Sequence, residues 1–182
     1  MGYFKKLEEQ IYFESFHMVG KRDLLEDKSG NKFNYFYGIA PGGALVIPVL
    51  SDGRIALVYQ YRYLQDKKGY EFPRGAINPG ESPNDAAKRE LEEETGCMAS
   101  DLIKVGTFVP SPPSMKDIMH VFVAEADHTG SQKLDFNEYM EVVFRRPDEI
   151  DEMVRRGEIW DGVTLAAWAM AHHQFLHKDK LA

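Results

Sequence analysis

Cysteine is all but missing from this sequence: Cys97 is the one thiol in 182 residues. A single thiol forms no internal disulfide, and its scarcity fits a reducing cytoplasm. Positive charge is also short. The 22 lysines and arginines stand against 29 acidic residues, a net charge of −7. That balance argues against general nucleic-acid affinity, which needs a basic surface. An acidic protein that handles phosphates has to rely on metal ions and a few well-placed arginines. No run approaches the roughly 18 apolar residues of a membrane span. The opening MGYFKKLEEQ is amphipathic and charged and lacks the apolar core of a signal peptide. Repeats and low-complexity segments are absent. Apolar residues, by contrast, make up 43% of the chain, enough for one substantial core with a small appendage.

Residues 1–40 alternate aromatic and polar side chains in YFESFHMV, KRDLLED and KFNYFYGI, broken by a turn at Lys28–Asn31. The pattern predicts a three-stranded antiparallel sheet, with Phe33, Tyr35 and Tyr37 on one face and Asn34 and Phe36 on the other. These aromatics suit a core or an interface. Gly42-Gly43 then precede a continuously apolar strand at 44–50, a turn at Ser51–Gly53, and a partner strand at 54–64. Further strands are expected at 101–110, 117–126 and 138–146, with Pro110, Pro112 and Pro113 stopping pairing after the first of them. Pro147 starts a helix. A last helix, capped by Asp161 or Thr164, presents Val163, Ala166, Ala167 and Met170 as its apolar face. Its His173 and His177, four apart, are expected to face solvent rather than hold a metal.

The chemistry concentrates between Gly75 and Cys97, GAINPGESPNDAAKRELEEETGC. Ser82 is placed to cap a helix, with Pro83 at its first position and Asp85 closing an S-x-x-D box. Gly96 is placed to end it. Within the helix, Glu90 and Glu94 are four apart and Glu93 flanks them, so three carboxylates share one stripe and repel each other. A solvated charged face is the ordinary reading of such a helix. The alternative is a hard divalent cation, which takes oxygen ligands of this kind.

Spacing favours the second reading. The stretch resembles the Nudix box, G-x5-E-x7-R-E-U-x-E-E-x-G-U with U a bulky apolar residue, at Gly75, Glu81, Arg89, Glu90, Leu91, Glu93, Glu94, Gly96 and Cys97. The resemblance implies an α/β fold: an α/β/α sandwich with a mixed central sheet over 41–182, preceded by the small antiparallel sheet of 1–40. It implies Mg²⁺, with Mn²⁺ as a possible substitute, held by Glu90 and Glu94, by Glu93 sharing or bridging, and by the backbone carbonyl of Arg74. Arg89 is expected to orient Glu93 or Glu94 through an ion pair, and Glu81 to hold the loop through water or a backbone amide.

Other segments resemble the ADP-ribose pyrophosphatase and nucleoside diphosphate sugar branch of that family. In Gln60-Tyr61-Arg62 the arginine is the expected phosphate or sugar contact. In Glu71-Phe72-Pro73-Arg74-Gly75 an arginine replaces the more usual alanine, and its guanidinium adds a candidate phosphate contact. Glu71 is left between strand-edge solvation and a ribose or partner contact. Pro112 and Pro113 fall where ADP-ribose-cleaving members carry a proline. For the general base the resemblance points to the acidic stretch downstream, with Glu138 first, Glu141 second and Asp135 third. The N-terminal sheet, with Tyr35 and Tyr37, is implied to pair a homodimer and to stack on the base. The activity implied is Mg²⁺-dependent hydrolysis of nucleoside diphosphate sugars, ADP-ribose first and GDP-mannose second, to a nucleoside monophosphate and a sugar phosphate in the cytoplasm. Alternatives are a Nudix pyrophosphatase acting on nucleoside triphosphates, dinucleoside polyphosphates or capped RNA, and a non-catalytic binding module. Neither a nucleic acid nor a membrane is an expected partner.

Overall fold

The computed structural model describes residues 2–136 and 138–175, so His177 lies outside the described residues. Along the chain run β1 (Lys5–Glu14), β2 (Val19–Glu26), β3 (Lys32–Ile39), β4 (Gly43–Val49), β5 (Ile55–Arg62), β6 (Lys67–Glu71) and β7 (Arg74–Ala76). Helix α1 (Pro83–Thr95) follows, then β8 (Cys97–Met98), β9 (Ile103–Phe108), β10 (Met115–Lys116), β11 (Met119–Glu125), β12 (Asp127–His128) and β13 (Met140–Arg145). Helices α2 (Pro147–Arg155) and α3 (Gly162–Ala171) come last. No helix among the described residues is long and apolar enough to cross a membrane.

The chain divides into two compact units, one made of the residues up to Gly42 with Val109–Ile118, the other of Gly43–Phe108 with the remainder. In the first, β1, β2 and β3 form the antiparallel meander that the alternation predicts. A fourth strand was not legible in the sequence: β10 adds parallel to β3, pairing Met115 with Gly38 and Lys116 with Ile39. Gly38 makes room for it, because a Cβ there would lie 2.6 Å from the Met115 sulfur. Tyr35 Oη donates to the Pro113 carbonyl at 2.5 Å, so the proline-rich segment is bound to this unit. Tyr12, Phe13, Phe16 and Phe36 stay exposed.

The second unit is built on a mixed sheet in the order β13-β5-β4-β11-β9, with β6 on β5 and β7 on β4. Strand β4 is buried along its whole length, as its unbroken apolar run requires. One face carries Leu45, Ile47, Leu57 and Phe72 against Ile150 and Met153 of α2 and Ala167 and Trp168 of α3. The other packs Ala44, Val46, Ala56 and Phe122 against Ala86, Ala87 and Leu91 of α1. This is the α/β/α sandwich that the resemblance implies.

Three expectations about elements change. The β4–β5 hairpin pairs only at Val49 and Ile55; beyond that point β7 takes the edge of β4 and β6 the edge of β5, so the strands diverge. Strand β5 also stops at Arg62 and gives way to a 3₁₀ turn over Tyr63–Gln65. On α3 the cap is Asp161, whose carboxylate accepts the Thr164 N–H at 2.8 Å. Its buried face is Thr164, Ala167, Trp168 and Ala171, rotated from the expected Val163–Met170 stripe because Trp168 supplies the large side chain that fills the layer. Helix α3 ends at Ala171, and His173 is exposed in the turn after it.

Candidate active site around the acidic helix

Helix α1 begins as its sequence dictates. Ser82 Oγ accepts the Asp85 N–H at 3.1 Å and donates to Asp85 Oδ2 at 2.7 Å. The box therefore closes through the serine hydroxyl. At the other end Gly96 adopts φ 67°, where a side chain would be strained, and donates to the Glu92 carbonyl. Burial of Ala86, Ala87 and Leu91 against the sheet fixes the rotation of the helix and so the direction of its glutamates.

Glu94 is 5% exposed and accepts the Arg74 backbone N–H at 2.9 Å. Among the described residues no cationic side chain pairs with it. Burial and the charge of Glu90 push its carboxyl well above the usual range, and Glu138 adds to the effect. Burial also raises Glu90, against the pull of Arg89. Gly75 is indispensable beside it, since a Cβ there would lie 2.0 Å from Glu90 Oε1.

Arg89 ties the cluster together. It donates to both oxygens of Glu81 at 2.9 and 3.0 Å, to Glu90 at 2.6 Å and Glu93 at 3.0 Å, and to the Ala76 carbonyl at 3.0 Å. Of the two acids expected to pair with it, Arg89 contacts Glu93 and makes no hydrogen bond to Glu94 among the described residues. Glu81 does hold the loop through a backbone amide, accepting the Asn78 N–H at 3.0 Å, and the Arg89 hydrogen bonds keep its carboxyl below the usual range.

Among the described residues no three acidic, histidine or cysteine side chains converge as a ready-made metal cage, because Arg89 draws Glu90 and Glu93 to itself. The donor set nevertheless fits a hard divalent cation. The buried Glu94, without a side-chain counter-charge among the described residues, and the half-buried Glu90 form a site of oxygen donors short of positive charge.

A second constellation lies where β5 and β6 part from β4. Arg62 donates to Glu71 through Nε at 2.8 Å and Nη2 at 2.5 Å. Arg74 Nη2 donates to Glu71 at 2.8 Å and to Asp161 at 3.2 Å. Glu71 is 0% exposed; with its oxygens taken by two guanidiniums, it is neither solvated at a strand edge nor open to a ribose. Arg74 Nη2 is shared by two acids, and the side chain is 14% exposed. The Arg62 side chain is 38% exposed, and its Nη1 has no partner among the described residues. Burial works against ionisation of Asp161, but Arg74 and the Thr164 N–H outweigh it and hold its carboxyl below the usual range.

Of the three candidate bases, the structure brings Glu138 towards the box: it is half-buried, and its charge acts on both Glu90 and Glu94. It also accepts the Asp135 N–H at 3.0 Å. Glu141 is corrected. It lies opposite Tyr59 in the β13–β5 register, on the face away from Arg62, 72% exposed and 3.6 Å from Lys68. Asp135 is exposed. What sequence reasoning missed is how the polar loop before β13 is anchored: Gln132 Nε2 donates to the Glu94 carbonyl at 2.7 Å, and the Lys133 N–H to the Glu93 carbonyl at 2.7 Å. The loop so satisfies carbonyls that a helix end leaves free, and it fixes where Glu138 begins.

In the N-terminal unit the rings of Tyr35 and Tyr37 are 6.2 Å apart and tilted by 47°. With Asp23, Pro112, Pro113 and Lys116 they line a hollow of about 270 Å³. Tyr37 Oη donates to Asp23 Oδ2 at 3.3 Å, while the buried Asp23 Oδ1 has no partner among the described residues.

Comparison with known proteins agrees with this geometry. The family described as NUDIX domain matches residues 40–167. An ADP-ribose pyrophosphatase of Bacillus subtilis (strain 168) is 36% identical over 129 residues, 70% of each chain. A methanol dehydrogenase activator of Bacillus methanolicus is 32% identical over 129 residues, again 70% of each. A crystal structure of an ADP compounds hydrolase superposes with a TM-score of 0.83 at 21% identity, covering 96% of this chain and 95% of that one; at that identity the likeness concerns the fold.

Proposed function

The chain belongs to the NUDIX domain family, and from that premise we propose that this Nudix hydrolase cleaves the diphosphate linkage of nucleoside diphosphate sugars. ADP-ribose is the first substrate and GDP-mannose the second, each giving a nucleoside monophosphate and a sugar phosphate. One observation carries the reading: a buried carboxylate with no side-chain counter-charge among the described residues, Glu94, beside the half-buried Glu90, stands in the same unit as an arginine, Arg62, whose Nη1 has no partner among the described residues. A diphosphate needs both kinds of partner. The B. subtilis relative named ADP-ribose pyrophosphatase supports the substrate class.

Mg²⁺, or Mn²⁺ in its place, is assigned to Glu90, Glu93, Glu94 and the Arg74 carbonyl. When bound, such a cation neutralises phosphate charge and lowers the pKa of water. The side chains of the protein do the rest. Arg62 orients a phosphate through its free Nη1, as a planar guanidinium does well. Arg89, through its Nη1, holds Glu90 and Glu93 together and sets their orientation. Glu138 takes the proton from the attacking water, from a half-buried position near Glu90 and Glu94. In the N-terminal unit, the hollow beside Tyr35 and Tyr37 supports base stacking, and the exposed aromatics around Phe36 support a homodimer. The setting is the cytoplasm.

A screen with Mg²⁺ over ADP-ribose, GDP-mannose, UDP-glucose, diadenosine polyphosphates and deoxynucleoside triphosphates tests the proposal. Expected is fastest turnover of ADP-ribose, with AMP and ribose 5-phosphate as products. Faster turnover of triphosphates or dinucleoside polyphosphates overturns it.

A further inference from the structure

We infer that Arg74 and Asp161 are positioning residues for Arg62, holding its guanidinium for a phosphate through Glu71; the inference rests on the diphosphate reading of the site. Glu71 is buried and its two oxygens receive three N–H donors, two from Arg62 and one from Arg74. A buried carboxylate with two cationic neighbours is held far more firmly than a surface pair, since each hydrogen bond is charge-assisted and screened from water.

Arg74 is itself fixed. Its Nη2 reaches Asp161 Oδ1 at 3.2 Å, and the other oxygen of Asp161 accepts the Thr164 N–H at 2.8 Å in the first turn of α3. Its side chain is 14% exposed and that of Asp161 15%. The chain of contacts thus runs from the start of α3 through Asp161, Arg74 and Glu71 to Arg62 on β5. Two arginines balance two acids, so no unpaired buried charge distorts the arrangement. Both Nε and Nη2 of Arg62 are turned to Glu71, which leaves Nη1 as the edge presented outward.

Arg62 alone could pair with Glu71, but the β5 strand ends there and a 3₁₀ turn follows. The Arg62 side chain at that strand end stays 38% exposed, so its hydrogen bonds to Glu71 are what aim it. Arg74 Nη2 donates to the same Glu71 oxygen as Arg62 Nη2 and so fixes where that carboxylate points. Losing that contact allows Glu71 to re-aim, and Arg62 moves with it.

The test uses the full chain with Mg²⁺ and methylenediphosphonate, a non-hydrolysable diphosphate that reads the phosphate site whatever base and sugar the enzyme prefers. Calorimetry gives its Kd for wild type, Arg74→Met, Asp161→Asn, Arg62→Met and Arg62→Met/Arg74→Met, with kcat and KM for ADP-ribose alongside. Asn still caps α3, so Asp161→Asn keeps the fold if Arg74→Met does not. Expected is about tenfold weaker binding for Asp161→Asn and Arg74→Met, a factor equal to about 1.4 kcal/mol, with KM raised more than kcat falls. In the Arg62→Met background the Arg74→Met penalty should vanish. An unchanged Kd for Asp161→Asn, a full Arg74→Met penalty in that background, or no binding by wild type overturns the inference. Coupled binding without ADP-ribose cleavage instead upholds it and overturns the substrate reading.

Discussion

Replacing Glu94 by Gln should make the protein more stable and far less active. The side chain is 5% exposed and accepts one hydrogen bond, from the Arg74 N–H at 2.9 Å. Glutamine is isosteric, and its carbonyl can accept that same bond. What disappears is a buried charge with no side-chain counter-ion, and relief of such a charge is worth on the order of 1–4 kcal/mol. For a chain of this length about 1 kcal/mol moves Tm by roughly 2–4 °C, so a rise of at least about 2 °C is expected by scanning fluorimetry in chelator at pH 7. The sign with pH follows from the raised carboxyl pKa. Above the folded-state value wild type bears the cost of ionised Glu94. Below the unfolded-state value both states are protonated and the cost is gone. The gap between variant and wild type should therefore close as pH falls. Turnover with Mg²⁺ should drop by about 10²–10³-fold, the usual loss for one electrostatic group in a site. A lower Tm, or turnover near that of wild type, refutes the reasoning.

Gly75→Ala places a methyl where Glu90 Oε1 sits 2.0 Å from the ideal Cβ; Mg²⁺ half-saturation should rise at least about tenfold, measured as activity against Mg²⁺ concentration. Glu138→Gln should lower kcat by about 10²-fold or more with KM little changed, whereas Glu141→Gln, on the outward face beside Lys68, should stay within about twofold; the reverse order moves the base to Glu141. Leu91→Ala removes a fully buried side chain of α1 and should cost about 3 kcal/mol, read by urea unfolding. Phe36→Glu, in a ring position 61% exposed, should turn the proposed dimer into a monomer by light scattering; a persistent dimer places the interface elsewhere.

What could be read before folding and what could not differ in the distance along the chain over which the deciding contacts act. Ser82, Asp85, Glu90, Glu94 and Gly96 lie within one helix, so a capping rule and a 3.6-residue period place them correctly. Glu138 and Glu141 lie three apart, yet only one approaches the box. A strand alternates with period 2, and which of them turns inward depends on where β13 begins, at Met140, and on the Gln132 and Lys133 contacts that hold the loop before it. Likewise β10 joins a sheet whose nearest partner, Gly38, is far earlier in the chain; proline spacing could announce the break in pairing but not the new neighbour.

The sequence by itself determined the acidic helix, its caps, its glycine at Gly75 and its family. Each follows from residues near one another, where local backbone preference and side-chain spacing decide. Only the tertiary structure decided that Glu71 is buried, that Arg74 Nη2 turns to Glu71 and Asp161, and that Arg62 Nη1 has no partner among the described residues. Those outcomes depend on strands β5 and β6 diverging from β4, and on helix α3 starting beside the gap they leave. A charge assigns itself to whichever opposite charge burial places within hydrogen-bond reach, and spacing along the chain does not specify that distance.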